Sequence, residues 1–342
     1  AKQRLERLGA MTPGDFRYKY KKEIGRGGMG VVLKVRDRDL RRSLAMKVLQ
    51  SKSPNGSNDS PSNHRKLTRF LEEAQITGQL DHPGVVPVHE LGMDARGRPF
   101  FTMRLVRGHT LKQVFEAIEN TKQHQGLDNW TRNRALSSLL RVCETLAFAH
   151  SKGVIHRDLK PSNIMVGHFG ETYVMDWGLA KVLNRDENRD ISPKVATADE
   201  PDDESISMVR TDRLEETDMD PDSPLVTMDG DIVGTPAYMA PEQAKGELDK
   251  VGEQSDVYSI GAILYHLLTG RPPYADTVAR QNPHVVLMRV LSGPPEPIHK
   301  VRKGVPGELA AICEKAMCYS RKPRYDTVLA LSEDLRAFLE GR

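Results

Sequence analysis

The chain has 342 residues, 38% of them apolar and 28% charged, with a formal net charge of only +3. That length suits one large two-lobed domain or two small ones with a real core. The near-balance of charge, without basic runs interleaved with aromatics, excludes an obvious nucleic-acid binder. The longest apolar stretch, "VYSIGAILYHLL" at 257–268, is too short and too polar for a bilayer span of about 20 residues.

Residues 1–15 read as a polar tail. From Phe16 to about Met103 short apolar runs alternate with turn signals, and the runs "GVVLKVRD", "SLAMKVLQ", "VVPVHELG" and "PFFTMRL" predict strands. The first of them follows a glycine-rich turn, "IGRGGMGVV" at 24–32, set between two strand-like runs. Glycines let backbone N–H groups approach phosphate oxygens. A plain hairpin turn would use them too. Because the turn does not open a helix, a dinucleotide fold is disfavoured.

Lys47 lies in the middle of the apolar run "LAMKVL". A buried ammonium there is costly unless it meets a partner such as nucleotide phosphates or a carboxylate. Glu73 on the next predicted helix, Leu67 to Leu80, is the best carboxylate candidate and Glu72 the alternative; a lysine snorkelling from an edge strand would need neither. Between them, 51–64 is built from Ser, Asn, Pro and Gly and reads as a flexible loop.

Beyond Leu111 the pattern turns helical, at 134–153, at 255–270 from a Ser/Asp cap to Gly270, and at 326–341. A strand-rich half followed by a helix-rich half reads as α+β with two lobes. Between two of these helices, "VIHRDLKPSNIMV" at 154–166 places a polar loop between apolar strands. Asp158 can accept a hydroxyl proton, Lys160 can neutralise a transferring phosphoryl group, and Asn163 can offer an amide oxygen to a hard cation. Asp176, in "DWG" at 176–178, is a second oxygen ligand. The stretch 184–231 carries sixteen Asp and Glu against five Lys and Arg, which leaves the rest of the chain strongly basic. Its composition predicts disorder, as an inert insert or as an autoregulatory or docking loop.

Taken in order, GxGxxGxV at 25–32, AMK at 45–47, HRDLKPSN at 156–163, DWG at 176–178 and APE at 240–242 resemble the eukaryotic-like serine/threonine protein kinases of bacteria. The resemblance runs from about Phe16 to Leu339. It implies a bilobal protein-kinase fold over 16–340, with a small β-rich N-lobe at about 16–103 and a larger helical C-lobe at about 107–340. The implied reaction is ATP- and magnesium-dependent phosphorylation of serine and threonine hydroxyls. Ile24, Gly25, Gly27, Gly28, Met29 and Gly30 would contact the nucleotide, with glycines 25, 27 and 30 over its phosphates. Val32, Ala45 and Met165 would sandwich the adenine, and Met103 would guard the back of its pocket, followed by a hinge at 104–106. Lys47, positioned by Glu73, would hold the α- and β-phosphates. Asp158 and Lys160 would act in catalysis, and Asn163 and Asp176 would bind Mg2+. Asp256 would anchor the catalytic loop, and Glu242 would pair with Arg324.

Trp177 stands where this family usually has Phe; it is still an apolar wedge, so a change of packing rather than of coordination is expected. Arg157 and Lys181 are implied to grip a phosphate on the activation segment, with Thr227 the expected phosphosite, Ser223 and Thr217 the runners-up, and Thr235 a mark of the serine/threonine branch. Arg107 and Ser162, at positions where basophilic relatives carry acids, argue against a strong preference for basic substrates. Protein substrates are implied as partners, and self-association for trans-autophosphorylation is allowed. A scaffold that only binds nucleotide is the competing class, disfavoured by the intact Lys47, Asp158, Asn163 and Asp176. A small-molecule phosphotransferase is disfavoured by the peptide-platform stretch "GTPAYMAPE". The three cysteines have no disulfide or zinc spacing, so a cytoplasmic setting is expected. A start at Ala1 rather than Met suggests a piece of a longer protein, with a membrane anchor elsewhere left open.

Overall fold

Successive side chains of a strand point to opposite faces of its sheet, and the first sheet has one buried apolar cluster on its strands and a second against a helix. A computed structural model describes residues 17–50, 61–119, 127, 129–182, 209, 236–275 and 282–342. Two compact units result, Ala1–Asp81 with Val86–Arg107, and His82–Val85 with Gly108–Arg342. The expected phosphosites Thr217, Ser223, Thr227 and Thr235, the 1–15 tail and all of the acidic stretch except Val209 lie outside the described residues.

The first unit is a five-stranded antiparallel sheet in the order β1-β2-β3-β5-β4. Its strands are β1 (Tyr18–Arg26), β2 (Gly30–Asp37), β3 (Arg42–Leu49), β4 (Val88–Met93) and β5 (Pro99–Arg104). Val31, Val35, Leu44, Met46, Val48 and Phe100 form one buried cluster. On helix α1 (Pro61–Gln79), Phe70 and Ala74 lie one turn apart and pack with Phe101 in a second cluster. The Phe70 and Phe101 ring centroids are 5.1 Å apart.

Two boundaries differ from expectation. The helix begins at Pro61, inside the expected loop and six residues before Leu67. Proline at the first helical position loses no hydrogen bond and has its φ preset. Strand β4 begins at Val88 rather than Val85, because Pro87 has no N–H for the ladder. Val85 instead bridges to Val174 in the second unit.

The second unit is mostly helical. Helix α2 (Leu111–Glu119) precedes α3 (Arg132–Ser151), whose N-cap Thr131 accepts the N–H of Arg134. Beyond it come short α4 (Pro241–Ala244) and the long α5 (Glu253–Thr269). The rest are α6 (Pro283–Ser292), α7 (Ile298–Val301), α8 (Gly307–Ala316) and α9 (Val328–Leu339). Almost every side chain of α5 is buried, so its apolar composition reflects a central helix buried all round. No helix among the described residues is long and apolar enough to cross a membrane. Gly270 closes α5 at φ 79°, its N–H on the His266 carbonyl, a left-handed cap that suits glycine.

The start of α5 corrects the sequence reading. Its N-cap is Gly252, and Ser255 lies inside the first turn, accepting the Gly252 N–H on Oγ. Asp256 caps nothing here; its carboxylate is engaged elsewhere, as described below. Two small ladders complete the unit. One pairs β6 (Gly108–Thr110), β8 (Ile164–Gly167) and β9 (Thr172–Val174), the other β7 (Val154–Ile155) with β10 (Lys181–Val182). Val209 is buried, its N–H 3.4 Å from the Lys152 carbonyl, so at least this residue of the acidic stretch is held on the body.

Candidate functional site

The glycine turn joins β1 to β2, and its four glycines differ in what the fold asks of them. A β-carbon at Gly30 would lie 2.4 Å from the Val48 carbonyl oxygen, so the β2–β3 approach itself requires glycine. At Gly27 and Gly28 a β-carbon would meet nothing within 4 Å, and at Gly25 only Val32 at 3.8 Å. Packing does not explain these three glycines; close approach of an external group to the backbone would. Gly30→Ala is expected to lower stability by about 1–3 kcal/mol. Gly27→Ala should leave the melting temperature unchanged while weakening nucleotide binding, as paired thermal and binding titrations would reveal.

Register places the next residues. Lys47 pairs with Val32 on β2 and with Phe101 on β5, and Ala45 pairs with Met103. Val32, Ala45, Lys47 and Met103 therefore share one sheet face. Lys47 Nζ lies 2.5 Å from both Glu73 carboxylate oxygens, with the two side chains 12% and 6% exposed. Of the two carboxylates left open by the sequence, Glu73 is the one the structure sets against Lys47. A charge so shielded from water needs such a partner. Ile24 is exposed and Met29 half-buried in the same turn.

In the second unit the loop between β7 and β8 gathers the other candidates. Lys160 Nζ is 2.6 Å from Asp158 Oδ2. The Asn163 amide nitrogen donates to the Asp158 carbonyl at 2.9 Å and to its carboxylate at 3.2 Å. With its nitrogen so committed, the amide presents oxygen as its remaining donor atom. Ile164 pairs with Val174, and the Met175 N–H donates to the Asn163 carbonyl at 2.7 Å. This register sets the backbone of Asp176 one residue beyond the Met175–Asn163 bond, and both side chains offer oxygens of the kind magnesium takes alongside waters and phosphate oxygens. Among the described residues no group of three or more His, Cys, Asp and Glu could hold a metal unaided. Met165 is half-buried on β8, opposite Tyr173 and Thr110.

Two residues of this region adopt left-handed backbone, Arg157 at φ 69° and Asp176 at φ 62°. Such conformations cost on the order of 1–3 kcal/mol unless the surroundings enforce them. For Arg157 the enforcing group is Asp256. Its fully buried carboxylate accepts the N–H groups of His156 at 2.9 Å and Arg157 at 3.0 Å. His150 Nε2 donates to the same carboxylate at 2.8 Å. The loop is braced again by Gln243, whose side-chain nitrogen donates to the Arg157 carbonyl at 2.8 Å. Trp177 is buried, its ring centroid 4.7 Å from that of His156 and its Nε1 donating to the Val174 carbonyl. His156 in turn donates from Nε2 to the Met175 carbonyl and accepts the Asp158 N–H on Nδ1. The wedge thus braces the loop through His156 and Val174, and Trp177→Phe, which keeps an apolar ring there, is expected to retain turnover in a steady-state assay. Loss of turnover in a folded variant would assign the indole N–H a larger part.

His150 and Gln243 escaped the sequence reading. His150 sits in the last turn of an apolar helix and Gln243 just past APE, and nothing in their own spacing marks either. Burial alone would lower the pKa of His150, but the bond to Asp256 and nearby Glu253 raise it to about 9. Burial would raise that of Asp256; the His150 bond and charge hold it below the ordinary range. The His150 contribution to stability is full below its unfolded pKa near 6.5 and fades as pH rises towards 9. His150→Gln, which keeps a donor without a charge, is expected to flatten that alkaline loss in denaturant titrations between pH 6.5 and 9.5.

Farther along, Glu242 and Arg324 form a buried bidentate pair at 2.7 and 2.9 Å. Ser255 Oγ donates to Glu242 at 2.8 Å, and Arg324 also donates to the carbonyls of Cys318, Tyr319 and Gln254. Lys181 is opposite Ile155, two residues before Arg157, with Nζ 3.4 Å from the Leu248 carbonyl. Arg107 and Ser162 are both exposed.

A family model described as protein kinase domain matches residues 18–200 and 218–334. The chain is 34% identical over 348 residues to the serine/threonine-protein kinase PknD of Protochlamydia amoebophila, covering 99% of this chain and 32% of that protein. It is 32% identical to the protein of the same name in Chlamydia muridarum and 31% in Chlamydia pneumoniae, covering 95% of the chain in each case and 32% and 31% of those proteins. The chain therefore spans about a third of the length of the curated relatives it matches.

Proposed function

This chain belongs to the protein kinase family, and on that premise we propose that it transfers the γ-phosphoryl group of ATP to serine and threonine hydroxyls of proteins, its own included, in signal transduction. The kinase domain is placed at 16–340, after the 1–15 tail. The observation that carries the reading is the Asp158, Lys160 and Asn163 cluster, hydrogen-bonded together on a loop whose backbone Asp256 holds. Such catalysis is mostly positioning and charge neutralisation, and this cluster supports both.

In the proposed reaction the substrate hydroxyl oxygen bonds to the γ-phosphorus and the bond from that phosphorus to the β-γ bridging oxygen breaks. ADP leaves, and the hydroxyl proton passes to the Asp158 carboxylate. Lys160, already beside that carboxylate, offsets negative charge on the transferring group. Lys47, held by Glu73, neutralises the α- and β-phosphates. The open backbone at Gly25, Gly27 and Gly28 offers N–H donors to phosphate oxygens, with Ile24, Met29 and Gly30 completing the turn. Val32, Ala45, Met103 and Met165 supply apolar surface for adenine. Asn163 and Asp176 would hold Mg2+, which would supply neutralisation of phosphate charge. Arg157 and Lys181 are the proposed receptors for an activating phosphate, with Thr227 its first candidate. The site acts in the cytoplasm, a setting supported by cysteines that are all free.

The test incubates the purified chain with labelled ATP, magnesium and an acceptor protein, followed by phosphoamino-acid analysis. Phosphoserine and phosphothreonine without phosphotyrosine are expected. Saturable nucleotide binding with no label transferred would reduce the chain to a nucleotide-binding scaffold.

A further inference from the structure

Across the β1–β2 ladder Lys22 faces Lys34, and Lys19 faces Arg36. Like charges set directly opposite each other weaken a sheet. With Lys21 and Ser43, the side chains of Lys22, Lys34 and Arg36 line a concavity of about 370 Å³. None of Lys19, Lys21, Lys22, Lys34 and Arg36 has a side-chain hydrogen bond or ion pair among the described residues. The nearby acids are engaged elsewhere, Glu23 with Arg26, and Asp37 and Glu90 with Arg17. Five uncompensated cations on a self-repelling ladder do nothing for the stability of the fold. They do create a field that concentrates a polyanion.

The spacing narrows the ligand. Lys34 and Arg36 are two residues apart on one strand, hence on one face and about 6.6–6.8 Å apart along it. A peptide drawn out as a strand with carboxylates at alternate residues has the same repeat. The chain carries such a pattern at Asp218, Asp220 and Asp222, inside the stretch with sixteen acidic and five basic residues.

We propose that this basic face of β1, β2 and β3 is a docking site for an acidic peptide, and that its occupant is the 218–222 segment of a second copy of the chain. The contact joins two different patches, so it is heterologous, and association can continue beyond a dimer. Screening over about 8 Å at physiological ionic strength is comparable with the charge spacing, so association weakens as salt rises. The inference rests on charge and strand register alone and stands or falls apart from the phosphotransfer reading.

Sedimentation of the full chain, without nucleotide, at low and high ionic strength tests it. Weight-average mass should climb with concentration at low salt and fall at high salt. The Lys22→Thr/Lys34→Thr/Arg36→Thr variant and the Asp218→Asn/Asp220→Asn/Asp222→Asn variant should each need at least ~10-fold more protein to associate, about 1.4 kcal/mol. The threonine variant removes repulsion and adds β-branched residues, so its melting temperature should equal or exceed that of the wild type, which separates lost docking from lost fold. Neither Lys34→Glu/Arg36→Glu nor Asp220→Lys/Asp222→Lys should associate alone, and mixing the two should restore association. A chain that stays monomeric at low salt, association indifferent to both variants, or a charge-swapped pair that fails to reassociate would each overturn the proposal. Duplex DNA binding that the threonine variant abolishes, with association unchanged, would assign the face to nucleic acid instead.

Discussion

Replacing Asp158 by alanine is expected to lower kcat by at least ~10²-fold, with the fold and nucleotide affinity largely retained. The side chain is half-buried and held from two sides, by Lys160 at 2.6 Å and Asn163 at 3.2 Å, so its position does not depend on substrate. Its removal takes away the proposed proton acceptor and releases both neighbours. Asp176→Ala should fall as far for a different reason, the loss of the proposed magnesium ligand, and high magnesium should recover part of that loss but none of the first. Near-wild-type turnover of Asp158→Ala in steady-state assays would remove this residue from the chemistry.

The second large effect is on stability. Arg324→Ala leaves Glu242 ionised and buried without its guanidinium, and it also strips donors from three backbone carbonyls. Breaking such a pair from one side costs about 3–5 kcal/mol. For a unit of this size that corresponds to a melting-temperature fall on the order of 10 °C. The paired replacement Arg324→Met/Glu242→Leu should recover much of it, since no charge is then stranded. Burial would raise the Glu242 pKa, yet the Arg324 bond and charge hold it below the ordinary carboxylate range. The pair's contribution is therefore present at neutral pH and lost as pH falls through the lowered Glu242 value. Denaturant titrations of the single and double variants check both statements, and a single variant as stable as wild type would contradict them.

The sequence made the site's parts readable where their chemistry is unusual for their setting. Lys47 is an ammonium in an apolar strand, and the cost of burying it calls for an anionic partner, a phosphate or a carboxylate, unless it snorkels to the surface. Asp158, Lys160 and Asn163 stand in a polar loop between two apolar runs, which left a chemical role as the economical reading. The helix of 134–153 and the strand of 30–37 were plain from periodicity.

Other features were hidden for physical reasons. Periodicity sees side chains and says little about caps, so Ser255 and Asp256 looked like an N-cap when Gly252 takes that place. Low-complexity composition masked the start of the helix at Pro61, because Pro, Ser and Asn favour helix N-termini as well as loops. His150 is one polar residue on a buried helix, and its bond to Asp256 spans 106 residues of sequence. Contacts of that separation leave no local trace. Val209 shows the limit of composition as a guide, since one apolar residue within an acidic run is enough for a contact at Lys152.

The central claim is that this chain itself performs phosphoryl transfer. Intact-mass spectrometry of the wild-type chain and of Asp158→Ala, each before and after incubation with ATP and magnesium, tests it most directly. The wild type is expected to gain whole phosphoryl groups on serine and threonine, while Asp158→Ala incubated alone gains none. Equal gain in both, or none in a wild type that demonstrably binds ATP, would contradict it.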